Sequence, residues 1–307
     1  MTRYLISRIC GVIIDILLAS IIIFLAMHAA PGGPFDQEKM PLSDVQKQNI
    51  LRSLGLDKPL YVQYLNYMRN ALRGDFGVSY QYPGEEVLAL IARVWPPSLL
   101  LGGLSLLLAF IIGIPLGILA ALRENTWIDY TINAICLALA SIPLFVISTA
   151  LLMLVSVWNQ WLPPGGWGEP SQVILPLLCF FFWQFAGVPR YTRSAMLEAL
   201  HQDYVRTAKA KGLKPRTILW RHVFRNALNP MLTVFIPMIP NALTGTLFIE
   251  SIFRIPGLGK FFVTSIEKRD YPMQMALTLM LTAIAGFMWI VIDVLYAVVD
   301  PRVRIDQ

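Results

Sequence analysis

Six apolar runs, each long enough to cross a bilayer, decide what this chain can fold into. A hydrocarbon core about 30 Å thick takes roughly 20 helical residues. The runs are Ile9–Ala30, Ser98–Leu122, Thr131–Val157, Val173–Pro189, Pro230–Ile249 and Met273–Ile292. Asp15 alone interrupts the first, and the sixth extends to Val299 if Asp293 is tolerated. The fourth is the shortest and is expected to continue as helix into the polar residues after it. In lipid every backbone polar group needs an internal partner, so such runs become helices. Composition agrees: 56% of the 307 residues are apolar and 14% charged, against about 25% charged in soluble domains. The same numbers exclude a disordered chain, which is poor in apolar residues. The expected fold class is an all-α integral membrane protein with six transmembrane helices.

Arg3 and Arg8 before an apolar core resemble a secretory signal, but the apolar part exceeds the roughly 7–15 residues of one. The segment is expected to stay as an anchor. Lys/Arg bias in short loops then sets orientation. With the N-terminus in the cytosol, the inner segments 1–8, 123–130, 190–229 and 300–307 hold fourteen Lys/Arg, nine of them in 190–229. The short outer loops 158–172 and 253–272 hold four. Both termini and the basic loop are therefore expected inside. The net charge of +6 is mostly this topology signal; no aromatic platform or module accompanies it, so nucleic acid is not an expected partner.

The chain divides into an N-terminal segment with the first span (1–30), an external helical segment (31–97), a five-span core (98–299) containing the loop 190–229, and a tail (300–307). In the external segment, Asp57-Lys-Pro59 is expected to start a helix with the acid as N-cap. Tyr61, Leu65, Met68 and Leu72 form its apolar stripe, and Gly74 is its left-handed stop. A second short helix is expected from Gly84 to Val94, closed by Pro96-Pro97. Trp161-Leu-Pro-Pro-Gly-Gly-Trp167 is turn chemistry with interfacial tryptophans. Pro115, Pro143, Pro176, Pro237 and Pro240 fall inside spans, either bending helices around a passage or simply packing. Gly113 and Gly117 offer a face for close helix contact.

No chemical engine is visible. Pro256-Gly-Leu-Gly-Lys260 resembles a phosphate loop, but Arg254 stands where its first glycine belongs and Phe261 where Ser/Thr belongs, so it is not a nucleotide site. His28, His201 and His222 are scattered. Cys10, Cys136 and Cys179 lie in apolar stretches with neither disulfide nor metal spacing. No nucleophile–base pair supports an intramembrane enzyme, and no metal or cofactor is expected in this chain. Asp15, Glu250 and Asp293 lie in or near spans, where ionisable groups are expensive. Glu250 is expected to meet water at an outer end and Asp293 to pair with an arginine of the basic loop. Structural pairing is favoured over an ion pathway, and an ion-coupled secondary transporter is the weaker alternative. No polar cluster in the spans reads as a substrate site.

The loop has the organisation the rest lacks. Tyr204, Val205, Ala208 and the Ala210/Lys211 edge make a short amphipathic helix, Gly212 a turn, and Pro215 begins a second helix through Asn226. Thr207, Ala208 and Ala210 are small and would admit another protein closely. A helix–glycine–helix knob suits docking to a cytosolic protein better than loose contact with lipid heads.

Tyr204-Val-Arg-Thr-Ala-Lys-Ala-Lys-Gly-Leu213, followed by Arg221-His-Val-Phe-Arg-Asn-Ala-Leu-Asn-Pro230, resembles the cytoplasmic loop signature of permease subunits of binding-protein-dependent ATP-binding-cassette importers, in the oligopeptide/dipeptide branch. Gly212 and Ala208 keep the signature glycine and second alanine; Arg206 stands for its Glu and Thr207 for its first Ala. Ala30-Pro-Gly-Gly-Pro-Phe35, Leu54-Gly-Leu-Asp-Lys-Pro59, Arg73-Gly-Asp-Phe-Gly77, Gly113-Ile-Pro-Leu-Gly117, Ile255-Pro-Gly-Leu-Gly259, Arg269-Asp-Tyr-Pro272 and Asp293–Arg302 agree in order. The tryptophan loop further resembles the B-type subunit of oligopeptide permeases. The resemblance implies the type I importer permease fold and location in a bacterial inner membrane. It implies four kinds of companion: the lipid bilayer, a second homologous permease, two cytosolic ATPases that bind ATP and Mg, and an external peptide-binding protein. It also implies that Arg206, Thr207, Ala208, Lys209, Ala210, Lys211 and Gly212 form the helix that couples to one ATPase, with no catalysis in this chain. The implied cargo is an oligopeptide, with dipeptide, glutathione or a nickel complex as alternatives in the same branch.

Overall fold

The computed structural model describes residues 2–35 and 44–299; the tail 300–307 lies outside them. The described residues are helical apart from turns and one isolated bridge between Val78 and Glu86. Four helices are long and apolar enough to span a membrane unaided: Ile6–Ala29, Val87–Leu122, Pro170–Leu200 and Tyr271–Val294. Two more spans are bent pairs, Trp127–Ser141 with Leu144–Trp158 at 97° and Pro215–Phe235 with Met238–Ile252 at 47°.

The first and sixth spans pack side by side. Gly286 makes this possible, because a Cβ there would collide with Val12. At one end the pair is tied by Arg8 Nε, 2.9 Å from Asp293 Oδ2. Asp293 does find an arginine, but from the first helix and not from the basic loop, because the sixth span runs against the first.

The second span corrects the expected stop at Pro96-Pro97. One helix runs from Val87 to Leu122 with Pro96, Pro97 and Pro115 inside it. Lost backbone bonds are offset by burial: Val87, Leu90, Ile91 and Val94 pack on Leu258, Met273, Ala276 and Leu277, and Trp95 Nε1 donates to Leu243 O. The boundary drawn at residue 97 is thus crossed by a single helix. Gly113 and Gly117 serve as expected: Cβ atoms there would lie 2.7 Å from Val188 and 2.5 Å from Thr192.

The fourth run continues as expected, through a break at Ala186-Gly187, into helix Val188–Leu200. Its start is fixed by a reciprocal capping box between Glu169 and Gln172, which satisfies two otherwise orphaned backbone donors. In the preceding loop, Gly165 and Gly166 have φ of +152° and +114°, and Gly166 N–H donates to Phe253 O at 2.8 Å. Trp161 is exposed there, in keeping with an interfacial role, whereas Trp167 packs against the cluster of Leu175, Phe180 and Phe253.

In the external segment helix Leu60–Ala71 forms, and Gly74 has φ +82°. Two details differ. Pro59 occupies the N-cap with no side-chain bond; Gln63 instead braces the turn by donating to the carbonyls of Lys58 and Leu56. Tyr61, Leu65 and Leu72 are exposed, while Tyr64, Tyr67 and Met68 pack on Phe24, Met27, Tyr271 and Met275. The aromatic face wins because it meets the aromatic ends of the first and sixth spans. Asp270, buried, fastens the segment by accepting from the Ser79 hydroxyl and from Tyr80 N–H at 3.1 Å. Burial, with nearby negative charge, raises the Tyr67 and Tyr80 phenols well above their ordinary range.

Candidate translocation cavity and coupling helix

Helix Asp203–Ala210 forms where the sequence placed it. Gln202 enters it in extended conformation, ψ 150°. Its exit is a Schellman motif: Gly212 N–H donates to Lys209 O at 2.9 Å and Leu213 N–H to Ala208 O at 3.3 Å. Gly212 sits at φ +72°, a conformation that costs other L-residues about 1–2 kcal/mol. Arg206, Thr207, Lys209, Ala210, Lys211 and Gly212 are exposed. Ala208 is not: with Val205 it is buried in the cluster of Met196, Ala199, Ile218, Val223 and Ala227. Its small side chain admits the chain's own neighbouring helix and not an outside partner.

That neighbour is a wide π-helical stretch, Ile218–Phe224, leading into helix Arg225–Phe235. The short helix is therefore fused by packing to both the fourth and fifth spans, and a force on it cannot be absorbed by a loose loop.

A second connection was not legible in the sequence. Asp129, 1% exposed in the first turn of the third span, forms an ion pair with Arg193 of helix Val188–Leu200. Arg193 Nη2 lies 2.7 Å from Asp129 Oδ2, and Asn125 N–H and Asn133 Nδ2 donate to the same carboxylate. The signal available was an acid in a first helical turn, ahead of a short loop; its partner lies 64 residues on.

The breaks in the third, fourth and fifth spans meet at one place. A cavity of about 810 Å³ is lined by Ile142 and Pro143, by Ala186 and Gly187, and by Val234 and Met238. Its polar lining includes Asn133, Gln184, Arg190, Tyr191, Ser194 and Asn241. Pro143 and Pro237 thus mark breaks around a concavity, which favours the passage reading over plain packing at those two positions; Pro115 and Pro176 lie within continuous helices. The sequence shows no polar cluster in the spans that reads as a substrate site; the fold gathers these polar side chains around one concavity. They are dispersed over four helices, so no local pattern announces them.

The remaining candidates separate. Glu250 is 1% exposed and does not meet water. Ser98 Oγ donates to its Oε1 at 2.7 Å and Lys260 N–H to its Oε2 at 3.1 Å. Its carboxylate caps helix Leu258–Glu267, where an anion is favoured by the helix dipole, and so occupies the position a phosphate would need in Pro256–Lys260. Asp15 is exposed on the flank of the first span. Among the described residues, no three His, Cys, Asp or Glu side chains gather to hold a metal, and His28, His201 and His222 remain apart.

Comparison with known proteins agrees with this architecture. Residues 113–305 match the family described as "binding-protein-dependent transport system inner membrane component", and residues 1–99 match its N-terminal companion. The chain is 39% identical to the dipeptide transport system permease protein DppB of Bacillus subtilis over all of this chain and 99% of that one. It is 37% identical to the oligopeptide permease protein OppB of Salmonella typhimurium, over 99% of this chain and 100% of the other. Among solved structures, the inward-facing MetNI methionine ABC transporter superposes with a TM-score of 0.58 at 17% identity, covering 69% of this chain and 96% of that one, a likeness of fold. With both halves of the sequence matched and relatives aligned end to end, the chain belongs to the inner membrane components of binding-protein-dependent transport systems, and it has the type I importer permease fold.

Proposed function

We propose that this chain is one half of the membrane passage of a peptide importer, moved by ATPases that it does not itself contain. The observation that carries the reading is the fusion of an exposed, basic helix, Asp203–Ala210, to the two spans whose breaks line the cavity. Full-length likeness to dipeptide and oligopeptide permeases supports a peptide cargo. The complex comprises this chain, a second homologous permease, two cytosolic ATPases binding ATP and Mg, and an external peptide-binding protein, in a bacterial inner membrane. Both termini, the loop 190–229 and the tail 300–307 face the cytosol, and the segment 31–97 faces outward.

In the proposed cycle Arg206, Thr207, Lys209, Ala210, Lys211 and Gly212 seat against one ATPase. Ala208, with Val205, locks the helix to the spans behind it. When the ATPases close, the knob moves as a rigid body, the fourth and fifth spans follow, and the Asp129–Arg193 pair carries the third with them. The cavity then changes the side on which it opens. The decisive experiment is uptake into proteoliposomes. The complete complex should accumulate peptide when ATP is supplied on the ATPase side. This chain alone should accumulate none, with or without a proton or sodium gradient. Gradient-driven uptake by the isolated chain would instead identify a secondary transporter.

A further inference from the structure

The cavity has an uneven polar inventory. No aspartate or glutamate lines it, and two arginines do, Arg190 and Arg193. Arg193 is neutralised by Asp129, with Nη2 2.7 Å from Oδ2. Arg190 is exposed and has no acidic partner among the described residues. The cavity therefore carries one uncompensated positive charge on a wall otherwise made of neutral groups.

Gln184 supplies the opposite chemistry. It is 2% exposed, and its amide nitrogen donates to Ser105 Oγ at 2.7 Å and more weakly to Gly102 O. Both partners belong to the second span, and they fix which way the amide faces. Its carbonyl oxygen accepts no hydrogen bond within the described protein. An amide oxygen that lines a cavity without a protein partner is open to a donor from outside. Gln184 lies just before the break at Ala186-Gly187 and Arg190 just after it, and both line the same cavity.

We propose that the cavity reads the main chain of its cargo: Arg190 takes the terminal carboxylate of a short peptide, and Gln184 Oε1 accepts an N–H from its backbone. The proposal rests on the peptide reading given above and adds the chemical group recognised. Neither contact involves a cargo side chain, so the site discriminates by terminus and not by sequence. A volume of about 810 Å³ is within the roughly 300–1,000 Å³ of small-ligand pockets. The remaining lining, Trp183, Tyr191, Val234 and Met238 among it, offers apolar surface of no fixed shape preference.

The test uses the complete complex in proteoliposomes and two forms of one tripeptide, the free acid and the C-terminal amide. The readout is the ratio of acid to amide uptake per ATP hydrolysed, for wild type and for Arg190→Gln and Arg190→Lys. Comparing each variant with wild type cancels any preference of the binding protein. Loss of one charge-assisted hydrogen bond is expected to lower the ratio about tenfold or more in Arg190→Gln, and Arg190→Lys should restore most of it. An unchanged ratio, or equal loss for acid and amide, overturns the proposal and leaves Arg190 as a lipid or surface charge. Should Arg190→Gln fail to assemble, the same distinction is read in Ser194→Cys, whose thiol labelling should be slowed by millimolar acid and not by amide; equal protection overturns it. Wild-type complex that imports neither form refutes the peptide cargo itself, a result distinct from either.

Discussion

Arg193 meets the Asp129 carboxylate side-on, with Nη2 2.7 Å from Oδ2 and Nε reaching Oδ1. Ten residues after this arginine the exposed basic helix begins, and the aspartate starts the third span. A two-point contact between planar groups resists rotation as well as separation, so it transmits torque between elements that are distant in sequence.

Replacing Asp129 by Asn should therefore weaken both stability and coupling. Breaking a buried pair costs about 3–5 kcal/mol; because a quarter of the Arg193 side chain is exposed (25%), about 2–3 kcal/mol is expected here. Thermal unfolding of the purified complex measures the first effect, and transport per ATP hydrolysed the second. The exchange Asp129→Arg with Arg193→Asp should recover part of the loss.

Gly212→Pro should uncouple the complex. Proline fixes φ near −65° where the chain needs +72°, and it removes the N–H that closes the turn onto Lys209. Nucleotide should still bind to the ATPases, while peptide uptake falls at least tenfold. Gly212→Asn, which tolerates the left-handed region, should be mild. Normal uptake by the proline variant would remove the docking argument.

At the opposite end of the spans, Gly257→Ala should destabilise, since a Cβ there would collide with the Glu250 carboxylate. Glu250→Ala should cost more, about 2–4 kcal/mol, because it leaves a cavity and buried N–H groups without an acceptor. Melting temperatures of the assembled complex should rank wild type above Gly257→Ala and Gly257→Ala above Glu250→Ala.

Asp293→Asn should act on assembly and not on ion dependence. Its partner Arg8 is half exposed, 51%, so the pair contributes about 1 kcal/mol or less. The amount of complex in the membrane is expected to fall slightly, with an unchanged pH profile of uptake. Loss of pH-dependent transport at full assembly would assign Asp293 a proton-handling role instead.

The external segment should loosen in alkali. Tyr67 and Tyr80 are held neutral by burial, so their folded pKa lies above the ordinary 10.0. Stability from these phenols is complete below pH 10 and is lost as the pH rises toward the folded value, because only the unfolded state then releases the proton. Limited proteolysis of the segment should accelerate above pH 10 in wild type. Tyr67→Phe, which has no proton to lose, should blunt that rise.

What was legible in the sequence was set by local period and local chemistry. The six runs, the continuation of the fourth, the helix Asp203–Ala210 and the left-handed Gly212 follow from apolar spacing and turn residues. In the sequence Ala208 points to an outside partner because small size marks close approach without saying to whom. Of the stripe Tyr61, Leu65, Met68 and Leu72 only Met68 packs inward, because two apolar faces compete and the aromatic ends of distant spans decide between them. Pro96-Pro97 looked like a stop because the burial that offsets it comes from residues near 258 and 276. The cavity was invisible because its polar groups come from four helices, brought together only by the coincidence of three breaks.

Helix Val87–Leu122 has 36 residues, about 54 Å at 1.5 Å per residue, against a hydrocarbon layer of about 30 Å. Set upright, close to half its length stands clear of the lipid tails, and tilt lowers that share. Because the twin prolines leave it unjointed, whatever tilts the submerged portion swings the protruding portion through the same angle, magnified by leverage. A labelled position near Val87 would thus serve as the needle of a gauge whose pivot is Gly113 and Gly117.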